Sequence, residues 1–315
     1  MKLNMLNMRF LKKYGTLIGF LILCAVFSLL SPVFLTIPNL TMVLLQGSML
    51  TIIALGTTVV MAAGGFDMSF GALCGLIGVL VAGMMVSGVP VVLAIILGIL
   101  IGAVIGSING LLVTAVGISD FVATLATMSI ARGLNYFYTK GDPIFKGIPS
   151  EFKLIGQGKI GLIGYPVLIM FAVLIILYIF MNHTVTGRQI YAVGGNKAAA
   201  RVSGINVRWI RILTFIVGGV AAGLTAVIVT SRLGSGQPLA GEGFLLDGLA
   251  AVFLGMTMFR EGEPHIVGTF FGALIMGVLV NGLNLLGVQY FFQDILKGLI
   301  ILAAVALTAT GRPKD

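Results

Sequence analysis

Nine polar side chains stand out in otherwise apolar stretches: Gln46, Ser48, Asn109, Thr124, Thr127, Arg132, Asn135, Asn281 and Asn284. All but Arg132 are amides or hydroxyls, which donate and accept hydrogen bonds without carrying charge, and Gln46, Asn109, Thr124, Thr127, Asn135, Asn281 and Asn284 are the candidates for a solute pathway. In hydrocarbon such groups persist only where they meet a partner or a water-filled space. The set suits a route for a neutral, hydroxyl-rich solute. It equally suits hydrogen bonds that hold one helix to the next. Asn281 and Asn284 lie three apart, which puts them on one helical face and favours the first reading for that pair. The acids Asp67, Asp120 and Asp247 fall near the ends of apolar runs. Asp67 follows Gly64-Gly65-Phe66 and Asp120 follows Ser119, so both read as helix N-terminal residues, where negative charge is favoured. Asp294 and Lys297, also three apart, read as an ion pair.

Bond-making chemistry is missing from the pattern. No phosphate-binding G-x-x-x-x-G-K-[ST] occurs, and Gly194-Gly195-Asn196-Lys197 has the wrong spacing. There is no H-E-x-x-H, and His183 and His265 fall at the inner ends of predicted spans as interfacial polar residues. Cys24 and Cys74 sit in apolar runs without metal or redox spacing, so they read as packing residues. The sequence therefore predicts no catalytic residue, no metal and no cofactor in this chain. If solute is pumped, the energy comes from another subunit.

The elements that must position these groups follow from composition. Of 315 residues, 58% are hydrophobic and 9% charged, against roughly 25% charged in a soluble domain. Most of the outer surface must face lipid. Stretches of about 20 apolar residues cross a bilayer core of roughly 30 Å, and ten candidates occur, at about 14–36, 41–63, 69–87, 90–115, 119–138, 163–181, 209–231, 243–259, 265–285 and 288–309. The eighth is short and reads as tilted or partly re-entrant. The basic start with Arg9, Lys12 and Lys13 resembles a signal peptide, but no small-x-small cleavage site follows, which predicts an uncleaved first span. The expected fold class is all-α, a polytopic membrane protein forming one transmembrane domain over 1–315.

Ten spans place both termini on one side. With the termini inside, the inner loops and ends hold Lys2, Arg9, Lys12, Lys13, Arg188, Lys197, Arg201, Arg208, Arg211, Arg260, Arg312 and Lys314. Only Lys140, Lys146, Lys153, Lys159 and Arg232 then lie outside. The positive-inside rule selects that orientation, with cytoplasmic termini. The net charge of +9 is thus a topology signal and not a nucleic-acid patch. Gly98, Gly102, Gly106 and Gly110 form a ridge that lets another backbone approach closely, and Gly71 with Gly75 and Gly268 with Gly272 repeat the small-xxx-small spacing. Gly-Val-Leu-Val occurs at 78–81 and again at 277–280, a hint of an internal repeat.

Two loops are long enough to act, an outer one at about 139–162 and a basic inner one at about 182–208. In the inner loop, Asn196 is a natural N-cap, Ala198, Ala199 and Ala200 are strong helix formers, and Gly204 is a natural stop. A helix of about two turns is expected, too short to stand alone. Its alanine face, rimmed by Lys197 and Arg201, fits either a groove on a partner or the lipid headgroups.

These stretches resemble the permease subunits of bacterial ABC importers of the ribose, xylose and galactose class. The likeness rests on Gly64-Gly65-Phe66-Asp67-Met68-Ser69-Phe70-Gly71, on 120–128, on 187–205, on Gly234-Ser235-Gly236-Gln237-Pro238 and on 281–288. The resemblance implies the ABC importer permease fold in the bacterial cytoplasmic (inner) membrane, carrying a ribose-like monosaccharide. It implies a second permease copy as a homodimer, a cytoplasmic ATPase subunit that binds ATP and Mg, and a periplasmic or lipid-anchored sugar-binding protein. In that scheme Asn196, Lys197, Ala198, Ala199, Ala200, Arg201, Ser203 and Gly204 form the coupling element on the ATPase, and 139–162 receives the binding protein. The loop Gly255–Glu263 is bulkier and more charged than the family pattern. Alternative readings are a permease for a nucleoside or furanose-like signalling molecule, an ion-coupled secondary carrier, or a passive channel.

Overall fold

The computed structural model describes residues 2–259 and 262–310, with side chains from residue 16 to residue 306. It is almost entirely helical. In chain order the elements are α1 (Lys2–Leu30), α2 (Ile37–Ala62), α3 (Phe70–Val86), α4 (Val91–Leu111) running into a π-turn (Leu112–Val116), α5 (Asp120–Thr139), α6 (Ser150–Gln157), the short strands β1 (Lys159–Ile160) and β2 (Ile163–Gly164), α7 (Tyr165–His183), α8 (Val185–Gly195), α9 (Lys197–Val202), α10 (Val207–Leu233), α11 (Glu242–Met256), α12 (Ile266–Leu285) and α13 (Tyr290–Thr310). Each of the ten apolar stretches coincides with one helix. Among the described residues, α2, α4 with its π-turn, α7, α10 and α12 are long and apolar enough by length and composition to cross a membrane. The basic residues Lys2, Arg9, Lys12 and Lys13 lie in α1 where side chains are not described, and Arg260, Glu261, Arg312 and Lys314 lie outside the described residues.

The helices pack as two similar halves. α2, α3, α4 and α5 have 26, 17, 21 and 20 residues, and α10, α11, α12 and α13 have 27, 15, 20 and 21. α10 lies against α4 as α2 lies against α12, α3 against α5 as α11 against α13, and α2 meets α10 at the centre. Sequence supports the pairing: Asn109-Gly110-Leu111 near the end of α4 matches Asn281-Gly282-Leu283 near the end of α12. A positive-φ glycine follows each, Gly117 and Gly287. The Gly-Val-Leu-Val pair falls instead on α3 and α12, helices that do not correspond, so that expectation is corrected.

Three glycines of the α4 ridge, Gly102, Gly106 and Gly110, lie on α10, whereas Gly98 faces Val81 and Ile77 of α3. A β-carbon at Gly102 would strike the Gly219 carbonyl, and one at Gly219 would strike the Gly102 carbonyl. Gly106 faces the Phe215 carbonyl and Gly110 faces Ile212. Backbones in such contact gain dispersion along their whole length.

Both halves contain a break. Residues 63–69 join α2 to α3, and 234–241 join α10 to α11. The second break runs back along α3: Gly236 lies against Val79, the Pro238 carbonyl against Gly75 and the Gly241 carbonyl against Gly71. The small-xxx-small pair of α3 therefore receives turn backbone rather than a helix. α11, at 15 residues, is about 22 Å long, short of the roughly 30 Å bilayer core. Residues 234–241 form a segment that re-enters the helix bundle alongside α3. Near the C-terminal end of α10, α6 is fastened to it, where Ser231 Oγ donates to the Phe152 carbonyl and accepts from Gly156 N at 2.7 Å.

Candidate functional site

The loop over 182–208 is more ordered than its composition suggests. Thr184 Oγ1 accepts from Gly187 N at 3.0 Å and starts α8. Ile190 and Val193 of α8 are fully buried, in a cluster with Leu55, Val59, Ala62 and Ile210. α8 was not expected, because Thr, Val and paired glycines are weak helix formers; burial of its apolar face overrides propensity. Asn196 is extended and its Oδ1 accepts from Ala199 N at 2.9 Å, capping α9. At the other end Ile205 N donates to the Ala200 carbonyl and Gly204 N to the Arg201 carbonyl, with Gly204 at φ +82°. This double closure stops the helix.

α9 presents an apolar surface without cover. Ala200 packs inward, while Ala198, Ala199, Arg201 and Ser203 are exposed and Val202 is 91% exposed. Trp209, at the start of α10, is exposed beside it in sequence. Lys197 turns its stem toward the break at Gly64. Partial burial and the Arg211 guanidinium lower the Lys197 pKa, opposed by Asp120.

Asp120 ties this region to the long helices. At the N-terminus of α5, its Oδ2 accepts from Phe66 N at 3.1 Å and pairs with Arg211 of α10. One turn on, Thr124 Oγ1 accepts from Met68 N at 3.1 Å. Deeper still, Thr127 donates to Asn109 Oδ1 at 2.6 Å, Asn109 donates to Ser69 Oγ at 3.1 Å, and Ser69 donates to Asp67 at 2.6 Å. The break after α2 is thereby fixed to α4, α5 and α10.

The structure brings Asn109, Thr124 and Thr127 together in that inner network. Asn135 lies further out, buried, donating to the Pro238 carbonyl of the re-entrant segment. Asn281 exchanges hydrogen bonds of 3.0 and 2.9 Å with Asn39 of α2. Asn284 accepts from Gln293 at 2.8 Å, so the two asparagines expected on one face serve different helices. Gln46 is half-buried on the outer part of α2. Lys297 pairs mainly with Asp247 of α11, at 2.9 Å, and more loosely with Asp294, at 3.7 Å. That corrects the expected local pair: α11 packs directly on α13 and offers the nearer carboxylate. Sequence reading also missed the Arg132–Glu242 pair at 3.1 Å, since the residues are far apart in the chain and only the re-entrant segment brings them together. Among the described residues no cluster of His, Cys, Asp or Glu could hold a metal.

Residues 39–305 match the family model described as the branched-chain amino acid transport system / permease component. The chain belongs to this permease family. It is 47% identical to the ribose import permease protein RbsC of Bacillus subtilis (strain 168) over 94% of this chain and 92% of that one. It is 42% identical to the RbsC protein of Escherichia coli (strain K12), over 94% and 93%. Against the D-allose transport system permease protein AlsC of Escherichia coli (strain K12) identity is 38%, over 95% and 92%. No solved structure matches the chain. The permease is thus a multi-pass membrane transport component and not an enzyme. Its network of capped inner helices, pinned breaks and backbone-packed spans belongs to a machine that moves solute.

Proposed function

We propose that this chain is the membrane subunit of an ATP-driven importer for a simple, ribose-like sugar. The observation that carries the reading is near full-length similarity, at 47% and 42% identity, to two proteins named ribose import permeases. The neutral amide and hydroxyl chemistry of the interior agrees with a polyhydroxylated cargo. In this reading ten helices cross the bacterial inner membrane, α1 to α5, α7 and α10 to α13, with both termini in the cytoplasm. Two copies stand side by side. α9 docks its exposed Ala198, Ala199 and Val202 on a cytoplasmic ATPase that holds ATP and magnesium, and Asp120 with Arg211 passes the motion to α5 and α10. The outer surface formed by α6 and β1–β2 receives a periplasmic or lipid-anchored sugar-binding protein.

The test is purification of the tagged chain from its native host in mild detergent, with identification of the proteins that come with it, followed by uptake of radiolabelled ribose, allose and leucine. Recovery of an ATPase and a sugar-binding protein, with ATP-dependent ribose uptake, is the expected result. A chain that purifies alone and drives ribose uptake from an ion gradient overturns the ATP-driven reading; uptake of leucine in place of sugars overturns the cargo.

A further inference from the structure

The Arg132–Glu242 pair lies where charge is least expected. Arg132 is twelve residues beyond Asp120 on α5, about 18 Å along the helix, which in the proposed ten-span arrangement is mid-membrane depth. Yet its side chain is 45% exposed and that of Glu242 is 42% exposed. Charged groups at this depth face water or protein, not hydrocarbon. The backbone beside them says the same, because 234–241 is a succession of turns between two helices, and irregular backbone at membrane depth survives only when buried in protein or lining a water-filled space. This face of α5 and α11 is therefore wet.

Outward of the ion pair is a cavity of about 450 Å³, between the outer turns of α5 and the re-entrant segment. Ligand sites commonly enclose roughly 300–1,000 Å³. Tyr136, one helical turn beyond Arg132, and Gln237 line it. Gln237 Nε2 donates to Ser235 Oγ at 3.0 Å, which holds the amide against the wall. Asn135 clamps the Pro238 carbonyl, and its own buried Oδ1 has no hydrogen-bond partner among the described residues. An aromatic face, a fixed amide, and a guanidinium–carboxylate pair one turn deeper are the groups that suit a sugar ring: C–H bonds lie on the aromatic, and hydroxyls bond to the polar groups.

We infer that this cavity is a sugar-contact site of the permease itself, with Tyr136 and Gln237 as its specificity-determining residues and Arg132–Glu242 as its floor. The inference rests on the sugar-importer reading and adds to it. Discrimination then does not lie wholly in a separate binding protein, because the membrane chain checks the cargo at the re-entrant turn before passing it inward.

The test uses Leu239→Cys, an exposed lining residue two positions from Gln237, in a full-length chain carrying Cys24→Ser and Cys74→Ala, in right-side-out membrane vesicles of the host, with a membrane-impermeant maleimide added outside. Ala240→Cys is the second variant should the first fail to insert. The thiol should label, and ribose should slow labelling about fivefold at a concentration roughly four times its dissociation constant, since the free fraction falls as 1/(1 + [L]/Kd). Glycerol and leucine should leave the rate unchanged. A thiol that refuses the reagent, which would mean that a second copy or lipid covers this face, overturns the inference. So does labelling indifferent to ribose, or protection by leucine instead. Ribose uptake by the same cells with the unaltered chain separates the two levels: if uptake is present and labelling is sugar-blind, only this site is wrong, and if uptake is absent the importer reading falls with it.

Discussion

Replacing Gly102 by alanine places one methyl group where α4 and α10 touch backbone to backbone. The new carbon would strike the Gly219 carbonyl oxygen, and the Gly219 carbonyl carbon lies at 3.0 Å from the same point. Ordinary contact needs 3.4 Å or more. The obstructing atoms are main chain, so no rotamer change relieves the clash, and the helices must part. Overpacking of this kind costs about 1–3 kcal/mol, partly offset by the roughly 0.5–1 kcal/mol that alanine gains over glycine within a helix. At about 2–4 °C per kcal/mol for a chain of 150–250 residues, the apparent Tm in detergent should fall by a few degrees. Gly102→Leu should abolish assembly. The control is Gly19→Ala in α1, where a β-carbon meets nothing within 4 Å, and whose Tm should hold or rise slightly. Thermal aggregation followed by gel filtration reads both. A Gly102→Ala chain as stable as the control would mean that the two helices do not approach as described.

Three further outcomes can be checked with the same preparations. Ala199→Glu puts charge on the exposed face of α9 and should abolish uptake while membrane level and Tm stay as in the wild type; normal transport would remove α9 from the docking surface. Arg211→Ala leaves Asp120 with its charge uncompensated in a site where the pair's side chains are 11% and 19% exposed, a change of about 3–5 kcal/mol for a buried pair; Asp120→Asn combined with it should recover part of the lost Tm, and failure to do so would deny the pairing. Asn196→Ala should weaken α9 by about 0.5–2 kcal/mol and lower uptake without lowering Tm, whereas Asn196→Asp should keep uptake near normal.

The positions of the long helices were legible because a run of some twenty apolar residues has few other uses. Depth was not. Gly71 and Gly75 announce a close approach, but nothing local says that turn backbone from 234–241 fills it. Lys297 shows the same limit: its neighbour in sequence, Asp294, is the obvious partner, and only the packing of α11 on α13 brings Asp247 nearer. The N-cap at Asn196 and the stop at Gly204 could be read directly, since capping is settled within a few residues. α8 could not, because Ile190 and Val193 become helical only when α2 and α10 offer somewhere to bury them. Polar residues inside spans were easy to find and hard to assign, for an amide that bonds a neighbouring helix and one that meets a solute look alike until the neighbours are known.

The contact between α4 and α10 also decides how force travels. Side chains that interdigitate can rotate and slide, so helices held by them behave as springs. Here Gly102 and Gly219 leave no side chains between the two backbones, and the pair is a stiff beam. Arg211 sits at its inner end, joined to Asp120 of α5. In the proposed importer, a displacement delivered at the α9 end would turn the pair as a whole, and the far end, where α10 gives way to 234–241, would move in step with the near one instead of absorbing the stroke.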